Sequence, residues 1–380
     1  MKTIYIFLIK IMSTLTFFRS KKNAFYIMSF NNNLNLIKKI AANLPKGKKI
    51  CVLYDPDVEV AATDLSAFGI ETIPFQNNIK FALTLIPKLS TAKIIFCDNY
   101  FAFLAGFTKS KKTKIVQVWH ANGAIKKFGW DDPTTINRSY LDKKRFQKVY
   151  NQFDDFVVAS KAMGNVFASS YHVDHDKMQY LGYPRSDRLF SNKWINYAQN
   201  RVYKAAPELK NKRVILYAPT YRDGLDFNPP EDLGRALTAD KDAMVVVKLH
   251  PVLKNQESKI KQFSDSNICF YNQLSTTDLL SVTDTLITDY SSLAFDFSLL
   301  PNAKSILFFM FDLDKYKSKP GIQNDFIEWL PTNPIIKTSD LKMEILNKKD
   351  NNFEDFNHYW NTYNDGNATN RLIKKYIKNM

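Results

Sequence analysis

Cysteine is scarce. The 380-residue chain has three, Cys51, Cys97 and Cys269, far apart and odd in number. That argues against a disulfide framework and against a zinc site, which needs clustered ligands. A reducing, cytoplasmic compartment fits. Long apolar runs are missing too. The most apolar stretch, Met1 to Phe18, is broken by Lys10, so no run of about 20 apolar residues exists to span a bilayer. It carries no small-residue cleavage pattern and runs into Phe17-Phe18-Arg19, a poor fit to a signal peptide. Internal repeats and low-complexity tracts are absent. Acidic charge is in short supply: Lys and Arg number 53 against 37 Asp and Glu, a net charge of +16. A surface this basic favours an anionic partner, whether nucleic acid, an anionic membrane or a phosphorylated substrate.

What is present narrows that choice. Lys109 to Lys148 is dense in cations (Lys109, Lys111, Lys112, Lys114, Lys126, Lys127, Arg138, Lys143, Lys144, Arg145, Lys148), with only Asp131, Asp132 and Asp142 against them. Few aromatics interleave with these charges, and no helix-turn-helix, zinc-finger or RNA-binding signature accompanies them. An anionic lipid or a phosphate-bearing acceptor fits better than nucleic acid. At the amino terminus, Thr3, Lys10 and Thr14 fall on one side of a helix and the Ile, Phe and Leu residues on the other. Such a helix suits a membrane interface, with Arg19, Lys21 and Lys22 for acidic headgroups. Packing of the same helix on the protein itself is the competing expectation.

At about 100–200 residues per domain, the length implies two domains. Short apolar runs alternate with helical segments from Ala24 onward, as in a parallel sheet covered on both faces. Strands are expected at Ala24–Phe30, Lys49–Tyr54, Glu71–Phe75, Lys93–Phe96, Lys114–Val118, Asp155–Ala159 and Met178–Leu181. Helices are expected at Leu34–Leu44 and, despite Pro87, at Ile79–Leu89. Ser191 to Lys212 is polar and basic and reads as a linker. A second alternating unit then offers strands Arg213–Tyr217, Ala243–Lys248, Ile268–Tyr271 and Ser305–Phe309 and helix Thr276–Val282. A final helix is expected to run to about Asn379.

In sheets of this kind ligands sit beyond the carboxyl ends of strands. Asp98-Asn99-Tyr100 and Trp119-His120-Ala121-Asn122-Gly123 occupy such ends in the first half. A histidine there can take a proton from an alcohol, because its ordinary pKa lies near neutrality. Gly123 can let a backbone approach a ligand, and Lys126 follows. A core histidine bonded to a carbonyl is the plain alternative for His120. In the second half the strand ends present Arg222, His250 and the run Thr288-Asp289-Tyr290-Ser291-Ser292. Leu293, Phe297 and Leu300 then recur at helical spacing, so Ser291 and Ser292 are expected at a helix start that favours an anion. A plain N-cap also explains either serine. Three polar strand ends in one small domain exceed what helix capping needs.

The set Gln117-Val118-Trp119-His120, Tyr217-Ala218-Pro219-Thr220-Tyr221-Arg222, Lys248-Leu249-His250-Pro251, Thr288-Asp289-Tyr290-Ser291-Ser292 and Phe295-Asp296-Phe297 resembles the CDP-glycerol glycerophosphotransferases, which build wall teichoic acid in Gram-positive bacteria. Phe311 to Tyr316 and Asp365 to Ala368 also fit. The resemblance implies an α/β fold of GT-B type: two Rossmann-like domains facing across a cleft, preceded by the amphipathic helix. The expected division is 1–22 membrane-interface segment, 23–195 acceptor-side domain, 196–350 donor domain and 351–380 returning to the first domain.

It implies no cofactor and usually no catalytic metal. The donor would be CDP-glycerol, and the acceptor an undecaprenyl-diphosphate-linked ManNAc-GlcNAc disaccharide at the cytoplasmic face of the membrane. Other teichoic acid enzymes are candidate partners. Carried over, His120 would be the base on the acceptor hydroxyl and His250 would contact the donor phosphates. Arg222, Ser291 and Ser292 would hold the pyrophosphate. Asp289 and Asp296 would contact donor hydroxyls or orient the site, and Thr220, Tyr290, Asn122, Gly123 and Lys126 complete the substrate-binding set. Many members follow Trp-His with Gly-Thr-Pro. The Ala121-Asn122-Gly123 seen here is associated with the primase branch, which adds the first glycerol phosphate. A short chain-extending transferase, a GT-B nucleotide-sugar enzyme and a basic membrane-surface protein are the competing readings.

Overall fold

The computed structural model describes residues 2–222, 226–378 and 380. It divides into two compact units. The first holds the chain up to Ala121, Phe128–Asp187 and the chain from Thr362 onward; the second holds Asn122–Lys127 and Arg188–Asn361.

The first unit is built on seven strands: β1 (Asn23–Met28), β2 (Ile50–Tyr54), β3 (Glu71–Pro74), β4 (Ala92–Cys97), β5 (Lys114–Gln117), β6 (Asp155–Val158) and β7 (Met178–Tyr180). Their order is β3-β2-β1-β4-β5-β6-β7, and every pairing is parallel. All five residues of β2 are buried, which is why the strand lacks the alternation of a half-exposed one. Tyr26, Val52, Phe96 and Val116 pack with Leu36, Ile37 and Ile40 of helix Leu34–Asn43. Each such side chain contributes about 1.5–3 kcal/mol by leaving water. Leu372, Ile373 and Tyr376 of the last helix, Ala368–Tyr376, join the same core. The Asp187 carboxylate accepts from the N–H groups of Ala368 (2.9 Å) and Thr369 (2.8 Å), which a helix start otherwise leaves unpaired. The helix stops short of the expected Asn379, which lies outside the described residues.

The second unit has β8 (Arg213–Tyr217), β9 (Ala243–Val247), β10 (Ile268–Cys269), β11 (Thr285–Thr288) and β12 (Ser305–Phe308), again all parallel, in the order β10-β9-β8-β11-β12. Ile215, Val245, Ile287 and Leu307 centre its core. Strand order reverses between β1 and β4 in one unit and between β8 and β11 in the other. Loops leaving the carboxyl ends at such a reversal part from each other and open a crevice.

Three expectations are corrected. The supposed linker contains helix Asn192–Ala205, started by Ser191 and burying Ile195, Ala198 and Val202. Those three sit at helical spacing, but polar neighbours mask the pattern. The region Ile79–Leu89 is not one regular helix: Phe81–Leu85 is a π-turn and Ile86–Leu89 a short α-helix. Pro87 lacks the N–H that would bond Leu83, so the ladder cannot continue unbroken. Helix Leu293–Phe297 has only five residues. So few peptide dipoles sum to little, and the expected anion preference of its amino end loses its footing.

The amino-terminal helix spans Lys2–Leu15 and packs one side on the protein itself. Ile9 and Ser13 face inward; Ser13 Oγ donates to Ile9 O (2.7 Å) and accepts from Thr108 N (2.9 Å). Outward stand Ile4, Phe7 and Leu15, followed by Phe18 at 84% exposure. No helix among the described residues is long and apolar enough to cross a membrane.

Candidate functional site

In the first unit Asp98, the residue after β4, stands at the strand-order reversal. Its backbone carbonyl accepts from His120 Nδ1 at 2.8 Å. A carbonyl oxygen only accepts, so Nδ1 carries the proton and Nε2 keeps its lone pair. Burial lowers the His120 pKa to about 4, opposed by the bond to the Asp98 carbonyl. The imidazole is therefore neutral at neutral pH. Phe30 stacks on it, with centroids 3.8 Å apart and planes 15° from parallel. Trp119 flanks it at 4.2 Å.

The backbone that delivers His120 is bent sharply. Trp119 has φ +58°, the left-handed region that a bulky residue enters only under constraint. The constraint is visible. Gln117 Oε1 accepts from Trp119 N (3.0 Å), Asn33 Nδ2 donates to Trp119 O (2.9 Å) and Asn32 Nδ2 to His120 O (2.7 Å). Both asparagines belong to the loop leaving β1, on the far side of the strand-order reversal. Asn32, Asn33, Gln117 and Phe30 thus belong to the site without being among the residues expected there from sequence. The Asn31-Asn32-Asn33 run directly after a strand was the available signal.

In the second unit the reversal is occupied by a buried ion-pair cluster. Arg222 Nη2 donates to Asp289 Oδ2 (2.8 Å), its Nε to Asp312 Oδ2 (2.8 Å) and its Nη1 to Thr220 O (2.6 Å). Its side chain has no exposed surface. Asp289 Oδ1 also accepts from Thr220 N (2.7 Å) and Tyr290 N (2.6 Å). Tyr290 Oη donates to Asp312 (3.1 Å), and its ring stacks on Tyr316 at 3.6 Å. Arg222, Asp289 and Tyr290 thus hold the two strand-end turns together. This differs from the expected direct grip of Arg222 on a pyrophosphate: every guanidinium nitrogen is engaged inside the protein. Asp312, unassigned from sequence, completes the cluster.

Other polar groups lie around it. Ser291 and Ser292 are half-buried. Ser291 Oγ accepts from Leu293 N (3.3 Å), whereas Ser292 makes no side-chain cap bond. Thr220 Oγ1 is shielded and lacks a hydrogen-bond partner among the described residues. His250 is exposed beyond β9, beside Tyr221 at 5.1 Å. Its Nδ1 accepts from Val252 N (3.4 Å), which places the neutral ring's proton on Nε2, the reverse of His120.

The segment after His120 goes with the second unit. Asn122 is 1% exposed and donates to Asn361 Oδ1 (3.0 Å) and Asp296 Oδ1 (3.3 Å). Gly123 has φ +65°, and a Cβ there would lie 2.2 Å from the Phe295 ring. Its missing side chain makes room for Phe295, not for the ligand expected from sequence. Asn122 and the buried Asp296 are likewise packed inward. Lys126 pairs with Ile322 through its backbone and holds its ammonium 5.9 Å from the Tyr316 ring.

Truncating a buried ion pair strands its partners in a dry site, at about 3–5 kcal/mol. Arg222→Ala is expected to lower the unfolding free energy by that amount in urea titration. Ser292→Ala, which removes no side-chain cap bond, should stay within about 0.5 kcal/mol of the parent.

Comparison with known proteins fits this architecture. The family model described as CDP-glycerol:poly(glycerophosphate) glycerophosphotransferase matches residues 12–378. The teichoic acid glycerol-phosphate primase of Bacillus subtilis is 32% identical over 368 residues, covering 93% of this chain and 91% of that one. The teichoic acid poly(ribitol-phosphate) polymerase of Bacillus spizizenii is 31% identical over 83% of this chain and 51% of its own length. The solved structure of the wall teichoic acid polymerase TagF shares the fold, with TM-score 0.70 at 19% identity over 98% of this chain and 94% of that one. Two parallel α/β units of GT-B type and a family match along almost the whole length lead to one conclusion: the chain belongs to the CDP-glycerol:poly(glycerophosphate) glycerophosphotransferase family and is a transferase of teichoic acid biosynthesis.

Proposed function

We propose that the enzyme transfers glycerol phosphate from CDP-glycerol to the hydroxyl of an undecaprenyl-diphosphate-linked ManNAc-GlcNAc disaccharide, releasing CMP. The acceptor oxygen attacks the phosphorus that bears glycerol. The bond from that phosphorus to the oxygen shared with the CMP phosphate breaks, and the hydroxyl proton passes to His120 Nε2. The observation that carries this reading is the anchoring of His120. Its proton is committed to the Asp98 carbonyl, its pKa is held low by burial, and its lone pair is left for the substrate. His250 supports it from the other side of the chemistry, since a ring with Nε2–H donates to phosphate oxygens where charge develops. Ser291 and Ser292 supply further hydroxyls to the donor. Arg222 and Asp289 act by holding the turns that carry them.

CMP release from CDP-glycerol in the presence of a ManNAc-GlcNAc-diphospholipid analogue tests the reading. Folded protein that releases none would refute it. His120→Ala should abolish turnover and leave CDP-glycerol binding intact; loss of binding instead would make His120 a donor ligand. Similarity to a poly(ribitol-phosphate) polymerase supports a chain-extending alternative. Product length separates the two: one added unit for a primase, many for a polymerase.

The pH profile offers a separate check. Only neutral imidazole accepts the proton, so kcat/KM falls as pH drops through the free-enzyme pKa of the base. With that pKa lowered to about 4, the acid limb should lie well below the ordinary histidine range. A limb near pH 6.5, the unperturbed value, would contradict a buried base.

We further propose that the first unit docks on the cytoplasmic face of an anionic membrane. Ile4, Phe7, Leu15 and Phe18 form an exposed ridge beside Lys10 and Arg19, and Ile136, Tyr140 and Leu141 stand exposed near Lys143 and Lys144. Each large apolar side chain withdrawn from water contributes about 1.5–3 kcal/mol. Replacing Ile4, Phe7, Leu15 and Phe18 with Glu should cut co-sedimentation with phosphatidylglycerol vesicles at least about tenfold. Unchanged sedimentation would discard this docking face.

A further inference from the structure

The loop leaving β1 takes no part in the chemistry proposed above, yet it bears directly on the imidazole. Asp98 links the two. Its carboxylate, fully buried, accepts from Ser29 N (3.0 and 3.1 Å to its two oxygens), from Ser29 Oγ (3.0 Å) and from Phe30 N (3.1 Å). The Phe30 ring so placed covers one face of His120. The backbone carbonyl of the same Asp98 accepts from His120 Nδ1. One residue therefore fixes the ring's tautomer through its main chain and its tilt through its side chain. We infer that Asp98 is a positioning residue for His120, acting through the Ser29–Phe30 turn.

The inference rests on the reading of His120 as base. Physical chemistry favours a task beyond simple loop closure. Burial pushes the Asp98 pKa up to about 7, against the hydrogen bonds from Ser29 and Phe30, so the carboxyl sits where its charge is poorly tolerated. Asparagine has nearly the same shape, but its amide nitrogen would point N–H groups at the N–H groups of Ser29 or Phe30. The turn would then shift, Phe30 would leave the imidazole face, and the ring would gain freedom to rotate. A misplacement of about 1 Å at a reacting group can reduce rate about a hundredfold.

The test uses the full-length protein and CMP-release kinetics on Asp98→Asn, Ser29→Ala, Phe30→Leu and His120→Ala. Thermal unfolding and ring nitrogen NMR of His120 accompany the kinetics. Asp98→Asn is expected to lower kcat at least about tenfold while KM for CDP-glycerol stays within about twofold. The His120 signals should change from the single Nδ1–H tautomer to a mixture. Phe30→Leu should move both readouts the same way by a smaller amount. A folded Asp98→Asn variant with parental kcat, or with reduced kcat and an unchanged tautomer signature, overturns the inference. If Asp98→Asn does not fold, folded Ser29→Ala and Phe30→Leu variants with parental kcat and tautomer overturn it equally. Turnover surviving in His120→Ala is a different failure: it removes His120 as base, whatever the tautomer signals show.

Discussion

Parallel strands deliver all their carboxyl ends to one edge of a sheet. Where the strand order reverses, the chain leaves neighbouring strands in opposite directions, and the loops from that edge start apart. Both units of this enzyme meet that constraint, and each fills the resulting gap with polar groups. In the first, Asp98 and the asparagines after β1 gather around Trp119 and His120. In the second, Arg222 is clamped between Asp289 and Asp312. Apolar packing alone could not hold such turns, because their backbone groups need partners that a hydrophobic side chain does not supply.

The two fillings differ in kind. Around His120 the bonds run mainly from side chains to backbone, and they dictate the shape of a bend and the tautomer of a ring. Around Arg222 they run between full charges. Such a cluster resists deformation strongly, and its guanidinium has no exposed surface to offer a ligand. Fixed geometry and direct contact are thus divided among different residues: the hydroxyls and His250 meet the substrate in the proposed mechanism, and the charges behind them stay dry.

Much of the fold was legible in the sequence because both sheets are parallel and covered on both sides. Strands such as Arg213–Tyr217 then read as unbroken apolar runs. The helix Asn192–Ala205 was not legible, since its three buried residues are outnumbered by polar ones on its wet face. At the site, His120 and the Thr288–Ser292 turn were recognisable as polar groups at strand ends. Their division of tasks was not. A sequence shows that Arg222 is cationic, but its confinement by Asp289 and Asp312 joins residues 67 and 90 positions apart. Gly123 illustrates the same limit: a glycine next to a candidate base suggests room for a ligand, and only the position of Phe295 shows that the room is already taken.

Trp119 brings two demands into opposition at a single position. Its left-handed backbone would suit glycine, while its ring, set against His120 on one side and Phe128 and Phe167 on the other, requires a large aromatic. Relaxing the backbone forfeits the ring, and a β-branched residue would satisfy neither demand. A substitution at this position therefore has to meet a conformational demand and a packing demand at once.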